Sequence, residues 1–180
     1  METINALVTR RSIRTFDNKR IDASTIRTLV GIAQHAPSWK NSQTTRYICV
    51  MDKAIKDRIA SDGVMNSAHN KSIIDSAPCL MVIATKSLHS GYERDGSFST
   101  SKGTHFESFD AGIATDELCL AAHDSGIASV ILGILDEDAI KTILNMDDSL
   151  KVSALVALGY SDSTPTMPKR RPLDEVLTIL

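Results

Sequence analysis

Two basic clusters at opposite ends of the chain contain the residues best suited to bind a charged ligand. The first spans residues 10–14, with the sequence RRSIR, and the second spans residues 169–171, with the sequence KRR. A phosphate monoester has a charge of about -1.5 to -2, so it favours clustered Arg and Lys donors together with a hydroxyl group. If the fold joins the two ends, the donors would be Arg10, Ser12, Arg14, Lys169 and Arg171. Two solvated basic surfaces are the alternative.

A loop that follows a predicted helix is rich in hydrogen-bonding groups. Residues 36–43 have the sequence APSWKNSQ, and their Ser38, Asn41 and Gln43 side chains could bond a polyol chain and the edge of a heterocycle. The same residue types also form ordinary loops that end a helix. The segment therefore has two interpretations, a ligand-binding loop and a simple helix stop.

The usual side-chain catalysts and metal ligands lack the spacing that those roles need. The sequence has no Gly-x-Ser-x-Gly turn and no glycine-rich phosphate loop, and its histidines show no paired metal-ligand spacing. We therefore expect no metal site. Cys49, Cys79 and Cys119 are widely spaced among apolar residues, which predicts buried, reduced thiols in a cytoplasmic protein.

The composition is that of an ordinary globular domain. The chain has 180 residues, of which 42% are hydrophobic and 23% are charged, and its formal net charge is -2. We expect a single domain over residues 1–180. A dedicated nucleic-acid-binding protein is usually more basic, and the longest apolar run is far shorter than the roughly 18 residues of a membrane helix. Neither nucleic acid nor a membrane is therefore an expected partner.

Helical and strand patterns alternate along the chain and predict an α/β or α+β domain. The predicted helices cover residues 2–10, 22–35, 53–62, 66–75, 106–124 and 136–145, and the predicted strands cover residues 47–51, 79–85, 127–132 and 152–160. Asp22 is the expected N-cap of the second helix. The 106–124 helix is apolar nearly all round, which predicts a central position. Residues 86–104 are expected to form a loop, and residues from 161 onward an extended arm.

Four segments of the chain together resemble the FMN-dependent nitroreductase family. They are RRSIRTF, APSWKNSQTTRYICV, FDAGIATDELCLAAHDSGIAS and PKRRPL, and the similarity extends over residues 7–173. The resemblance implies an α+β homodimer in which helices wrap a mixed sheet. It also implies that the long central helix lies in the dimer interface, that the C-terminal arm reaches onto the partner, and that both chains contact each FMN.

The resemblance also implies which residues hold the flavin. Its phosphate would be bound by Arg10, Arg11, Ser12, Arg14, Lys169 and Arg171, and its ribityl chain and ring by Pro37, Ser38, Trp39 and Asn41. Either Asn70 or Lys71 would contact the pyrimidine edge of the ring. The backbone of Ile131, Leu132 and Gly133 would approach the ring, with the N–H of Leu132 donating to the reactive nitrogen. No catalytic side chain is expected.

The implied activity is transfer of a hydride from NADH or NADPH through the flavin to a nitroaromatic, a quinone or a related small acceptor by a ping-pong mechanism. An ene reductase, a dehalogenase and a slow-turnover flavin-binding or sensor protein are alternatives, as is a basic interaction protein without flavin.

Two departures from the family pattern bear on the site. Trp39 and Lys40 replace small residues, and the stretch 86–105 matches poorly, so its role stays open. Trp39 could line the flavin pocket or pack in the core or an interface.

Overall fold

Helices and strands follow one another in the order that the hydrophobic pattern predicts. The structure is a computed structural model, and it describes residues 2–180. The helices are α1 (Thr3–Thr9), α2 (Ala23–Ala33), α3 (Lys53–Asp62), α4 (Ala68–Ser76), α5 (His105–Asp124) and α6 (Glu137–Leu144), and the strands are β1 (Thr45–Val50), β2 (Cys79–Lys86), β3 (Ala128–Leu132) and β4 (Leu150–Gly159). Short 3-10 turns lie at Trp39–Asn41 and Leu173–Glu175.

Side-chain caps fix where several helices begin. The carboxylates of Asp22, Asp52 and Asp136 each accept a hydrogen bond from the backbone N–H three residues later, and the Ser67 hydroxyl does the same at α4. Such caps satisfy backbone donors that a helix start leaves free. Hydrogen bonds from the Ser24 hydroxyl and from Thr25 lower the pKa of Asp22 to about 2. The predicted N-cap at Asp22 is confirmed.

The four strands form one sheet in the order β1-β2-β4-β3. Every pairing between these strands is antiparallel, so the expectation of a mixed sheet is wrong for the strands of this chain. A parallel contact occurs at the isolated bridge between Ser12 and Ser129. The α+β class is confirmed.

Helices cover both faces of the sheet. On one face, Leu29 of α2 and Leu118 of α5 join a buried cluster with Met81 of β2. On the other face, α3, α4 and α6 pack against the sheet in a second buried cluster. The central strand β2 is therefore buried on both faces, which explains its uninterrupted apolar sequence.

The edge strand β1 exposes one residue that the sequence analysis placed in the core. Cys79 and Cys119 are buried, but Cys49 is exposed, so the prediction of buried thiols is wrong for Cys49. Its strand has a neighbour on one side only, and Arg46 and Cys49 are the exposed residues of that strand. The predicted loop is confirmed for residues 87–104, which contain no helix or ladder strand, whereas Lys86 is the last residue of β2.

The chain after β4 extends away from the sheet. Residues 162–180 are all exposed, including Leu173, Val176 and Ile179. Within residues 2–180, no helix has the length and apolarity to cross a membrane. The same residues contain no cluster of three or more His, Cys, Asp or Glu side chains able to hold a metal ion.

Candidate functional site

The N-terminal basic stretch is held against the edge of the sheet by its backbone. The N–H of Ile13 donates to the Ser129 carbonyl at 3.0 Å, and the N–H of Asp17 donates to the Tyr160 carbonyl at 2.8 Å. Ser12 and Ser129 form the parallel bridge. Residues 10–14 therefore run beside the start of β3. Because the backbone of the stretch forms these bonds, its side chains stay available to contact a ligand.

A cleft of about 450 Å³ opens beside this stretch. Its walls include Arg10, Arg11, His123 and the first residues of the C-terminal segment, from Ser161 to Met167. This placement brings the start of the tail next to Arg10 and Arg11, but the lining of the cleft ends at Met167, before Lys169 and Arg171.

Within residues 2–180, the arginines of this stretch form no ion pair with a carboxylate. The Arg11 guanidinium donates to the backbone carbonyls of Val8 at 2.8 Å and Arg10 at 2.7 Å, and Arg14 donates to that of Ser12 at 3.3 Å. None of the ion pairs found within residues 2–180 includes one of the three. Positive charge without a counter-ion attracts an anion.

The positive charge of the arginines affects the pKa of the histidine in the cleft, His123. Burial lowers the pKa of His123, and the charges of Arg10 and Arg11 lower it further. The ring Nε2 lies 2.8 Å from the hydroxyl of Thr9. His123 therefore favours its neutral form beside the arginines, where it adds a polar contact without adding charge.

The two candidates for the pyrimidine edge occupy different environments. The side-chain amide of Asn70 donates to the Ile134 carbonyl at 3.1 Å, and Asn70 is buried. Lys71 is exposed and its ammonium pairs with Asp75 at 3.0 Å on the same helix. The structure therefore brings Asn70, and not Lys71, into contact with the segment that follows β3.

The end of β3 leaves backbone accessible. Ile131 and Gly133 are exposed, whereas Leu132 is buried. A methyl group added at Gly133 would meet no atom within 4 Å, so the space beside its backbone is open. A flat ligand can approach the main chain here.

The second predicted group of site residues lies at the other end of α5. The Asp110 carboxyl accepts hydrogen bonds from the backbone N–H of Trp39 at 2.9 Å and from the Ser90 hydroxyl at 2.6 Å. The Trp39 ring packs edge-on against Phe106, with a centroid distance of 4.4 Å. Trp39 thus belongs to an aromatic cluster on α5 in this chain.

A second cavity of about 260 Å³ adjoins this loop, and Pro37 and Ser38 line it. The Ser38 hydroxyl accepts the Gln43 N–H at 2.9 Å, which closes the turn. Asn41 is exposed. The loop predicted from residues 36–43 is therefore an organised structure with an open side.

The loop has two features that mark it as more than a helix stop. Lys40, Asn41 and Gln43 have φ values of 46°, 55° and 48°, in the left-handed region that residues other than Gly rarely adopt. Three buried side-chain atoms, Trp39 Nε1, Ser42 Oγ and Thr44 Oγ1, have no hydrogen-bond partner within residues 2–180. Strained backbone and unused buried polar atoms occur together at ligand sites.

Within one chain, the predicted site residues form two separate groups. Asp110 and His123 lie 13 positions apart on α5 (123 minus 110), which separates the Trp39 loop from the arginine cleft by roughly 20 Å. No hydrogen bond or ion pair within residues 2–180 joins Lys169 or Arg171 to residues 10–14. Arg171 instead pairs with Glu175 at 3.1 Å.

The sequence analysis missed several polar residues around these groups. Asp110 has only a weak signal, since the predicted helix 106–124 also contains Glu107, Asp116, Glu117 and Asp124. His123, Ser42 and Thr44 have no such signal, because their roles depend on which neighbours the fold brings to them.

Comparison with known proteins agrees with this architecture. The model of the nitroreductase family matches residues 7–160. A Streptococcus pyogenes protein with a provisional NAD(P)H nitroreductase name is 28% identical, with 93% of this chain and 94% of that protein covered. A nitroreductase family protein from Clostridium novyi has a TM-score of 0.78 at 27% identity, with 93% and 89% of the two chains covered. A provisionally named nitroreductase from Desulfovibrio desulfuricans, solved in complex with FMN, has a TM-score of 0.80 at 23% identity, with 100% and 97% covered. The chain therefore belongs to the nitroreductase family.

Proposed function

We propose that this protein is an FMN-dependent NAD(P)H oxidoreductase that reduces a nitroaromatic, a quinone or a related small acceptor by a ping-pong mechanism. The observation that supports this most directly is the group of Arg10, Arg11 and Arg14, which forms no ion pair with a carboxylate within residues 2–180 and lies beside the start of β3 in a nitroreductase-family chain. NADH and NADPH are both candidate reductants.

The residues of the arginine cleft fit a phosphate group. Guanidinium groups with backbone partners only can turn toward a phosphate without breaking an ion pair. Ser12 adds a hydroxyl at the same edge of the sheet. Lys169 is exposed, and Arg171 has only a surface ion pair to give up, so the arm can supply both cations.

The remaining groups fit a polyol chain and a heterocyclic ring. Ser42 and Thr44 offer hydroxyls and Trp39 offers an indole N–H, all buried and without partners. Asn70 fixes the segment after β3 through its bond to Ile134. We propose that this bond holds residues 131–133 so that one of their backbone N–H groups, first of all that of Leu132, can donate to the ring.

A homodimer would join the two groups of site residues. If two copies of α5 pack antiparallel about a two-fold axis, the Asp110 end of one helix lies beside the His123 end of the other. The Trp39 loop of one chain then faces the arginine cleft of its partner. The exposed Phe109 on α5 and the exposed apolar residues of the arm provide surface for this contact.

When bound, FMN would supply the redox chemistry by accepting a hydride from the nicotinamide and returning it to the acceptor. The chain itself binds and orients the group. The arginines would place positive charge near it, which stabilises negative charge on the bound group. The reduced thiols of the chain agree with the cytoplasmic location that we propose.

An absorbance spectrum of the purified protein tests the proposal. We expect a flavin spectrum that bleaches when NADH or NADPH is added without oxygen and returns when a quinone or nitroaromatic is added. Flavin that is bound and reduced but not turned over would identify a slow-turnover binding or sensor protein. A colourless protein that takes up no FMN would overturn the proposal.

Mixed dimers test whether both chains build each site. Arg14→Glu should block the phosphate end, and Asn41→Trp should block the opposite end. If each chain supplies one end of each site, a mixed dimer of the two variants has one site with both changes and one site with neither. We therefore expect the mixed dimer to bind one FMN per dimer, whereas each variant homodimer binds none. Recovery of no flavin in mixed dimers would contradict a shared site.

A further inference from the structure

Two cysteines far apart in the sequence meet on neighbouring strands. The Sγ atoms of Cys49 on β1 and Cys79 on β2 are 3.4 Å apart. In the register of these strands Cys49 lies opposite Met81, so the two cysteines form a diagonal pair. The pair lies in the sheet itself, and the proposed flavin site does not use either thiol.

The two thiols have different access to solvent. Cys49 is exposed on the edge strand, whereas Cys79 is buried in the core beneath it. A soluble oxidant can therefore reach Cys49 first, and the product formed there is within reach of a second thiol. This is the arrangement of an attacking and a resolving cysteine.

The surroundings favour charge on the exposed sulfur. The hydrogen bond with Cys79 lowers the pKa of Cys49, and the same bond together with burial raises the pKa of Cys79. The ammonium of Lys56, which is almost fully buried and donates to the Ala77 carbonyl, lies close enough to interact with Cys79. A thiolate on Cys49 is thus supported by the Cys79 donor, whereas the charge of Lys56 acts on the buried Cys79.

We propose that Cys49 and Cys79 are a reversible dithiol site that a hydroperoxide oxidises to an intramolecular disulfide. The Cys49 thiolate attacks one peroxide oxygen and the O–O bond breaks, which gives a sulfenic acid and, after protonation, an alcohol or water. The Cys79 sulfur then attacks the Cys49 sulfur, the S–O bond breaks, and the hydroxide leaves as water with the Cys79 proton. Two thiols lose two electrons to one hydroperoxide.

Closing the bond requires a small movement. A disulfide has an S–S distance of about 2.05 Å, so the sulfur atoms must approach by about 1.4 Å from their separation of 3.4 Å. β1 is an edge strand that can shift without breaking a second ladder. Cys119, a buried cysteine on α5 without another cysteine beside it, provides an internal control.

Peptide mapping of the purified holoprotein tests the proposal. Hydrogen peroxide is added to the folded protein, free thiols are then blocked, and trypsin is added without reductant. Cleavage after Arg46, Lys53, Lys71 and Lys86 places Cys49 in YICVMDK and Cys79 in SIIDSAPCLMVIATK. We expect these two peptides to be joined, to separate with dithiothreitol, and to leave Cys119 blocked as a free thiol.

Three variants complete the experiment. Cys49→Ser and Cys79→Ser should each abolish the joined peptides, while Cys119→Ser should leave their yield within about twofold of wild type. The flavin spectrum, followed in parallel, shows whether the protein stays folded. The proposal would be overturned if Cys49 of the wild type stayed free or became overoxidised without a link to Cys79. A link found only between two chains would also overturn it. Because both outcomes are read from the wild type, the test does not depend on whether Cys79→Ser folds.

Discussion

Residues 10–14 and residues 37–43 lie near opposite ends of α5, and the two regions provide different kinds of contact for a ligand. The first stretch is anchored by backbone bonds to the sheet, and its arginines have no carboxylate partner among residues 2–180. The second is anchored by one buried carboxyl, that of Asp110, and contains neutral polar atoms that have no hydrogen-bond partner in the same part of the chain. One region therefore offers charge, and the other offers hydrogen bonds in a strained, organised loop.

The difference indicates which part of a ligand each region can recognise. Clustered cations select for a dianionic group, and their effect depends on charge more than on exact position. Buried neutral donors and acceptors need close geometry, because an unpaired polar atom in the interior is costly. A ligand with a phosphate at one end and a polyol and heterocycle at the other satisfies both regions, and the following predictions test this division.

Loss of the Asp110 carboxyl should have the largest effect on the protein. In Asp110→Ala, the half-buried backbone N–H of Trp39 loses its acceptor, and the buried Ser90 hydroxyl keeps only its bond to the Phe106 carbonyl at 3.2 Å. We expect the free energy of unfolding in urea to fall by about 2–4 kcal/mol, the range for losing buried bonds to a charged acceptor. Asp116→Ala, at an exposed position of the same helix, should change stability by less than about 0.5 kcal/mol. Equal effects in the two variants would show that Asp110 does not anchor the loop.

The sequence predicted the elements well because their signals are local. Asp22 caps α2 through atoms three residues apart, and the apolar run of β2 reflects burial on both faces. Cys49 shows the limit of this reasoning. Its apolar neighbours suggest a core position, but only the strand order reveals that β1 is an edge strand. The mixed sheet was implied by the family resemblance and not by local signals, and the strand pairings within this chain are antiparallel.

The candidate site was predictable where the chemistry lies in one short segment. The RRSIR stretch contains its own charge pattern, and the APSWKNSQ loop contains its own turn residues. The distance between them was not predictable, because it depends on how each segment packs against α5. Asn70 and Lys71 are adjacent in sequence, and the sequence alone does not distinguish the two candidates. The contact between Asn70 and Ile134, which only the structure shows, distinguishes them.

Removing one cation should weaken FMN without affecting riboflavin, which lacks the phosphate. For Arg14→Ala or Arg171→Ala we expect FMN affinity to fall by about 1–3 kcal/mol, the range for a charge-assisted bond left unmade. Fluorescence titration of the apoprotein with both flavins measures this. Arg58→Ala, at an exposed position on α3, is the matched control. Equal losses for FMN and riboflavin would mean that these arginines do not bind the phosphate.

A neutral change in the opposite region should affect both flavins alike. Thr44 is buried and its hydroxyl has no partner within residues 2–180, so Thr44→Val should leave the stability of the free protein within about 0.5 kcal/mol of wild type. We expect the affinities for FMN and riboflavin to fall together by about 0.5–1.5 kcal/mol, the net value of one hydrogen bond. A loss confined to FMN would reverse the assignment of the two regions.

The smallest expected effect is on the titration of His123. Its pKa is lowered by burial and then by the charges of Arg10 and Arg11, so a bound phosphate that offsets those charges should raise the pKa of His123 in the complex. Because the histidine then holds more protons in the complex than in the free protein, its own contribution to FMN affinity should grow as the pH falls through its titration, while protonation of the phosphate, whose second pKa is about 6, acts in the opposite direction. Nitrogen-15 NMR of the imidazole with FMN and with riboflavin measures the shift directly. A pKa that rises equally with both flavins would place the phosphate away from the arginine cleft, since riboflavin brings no charge to it.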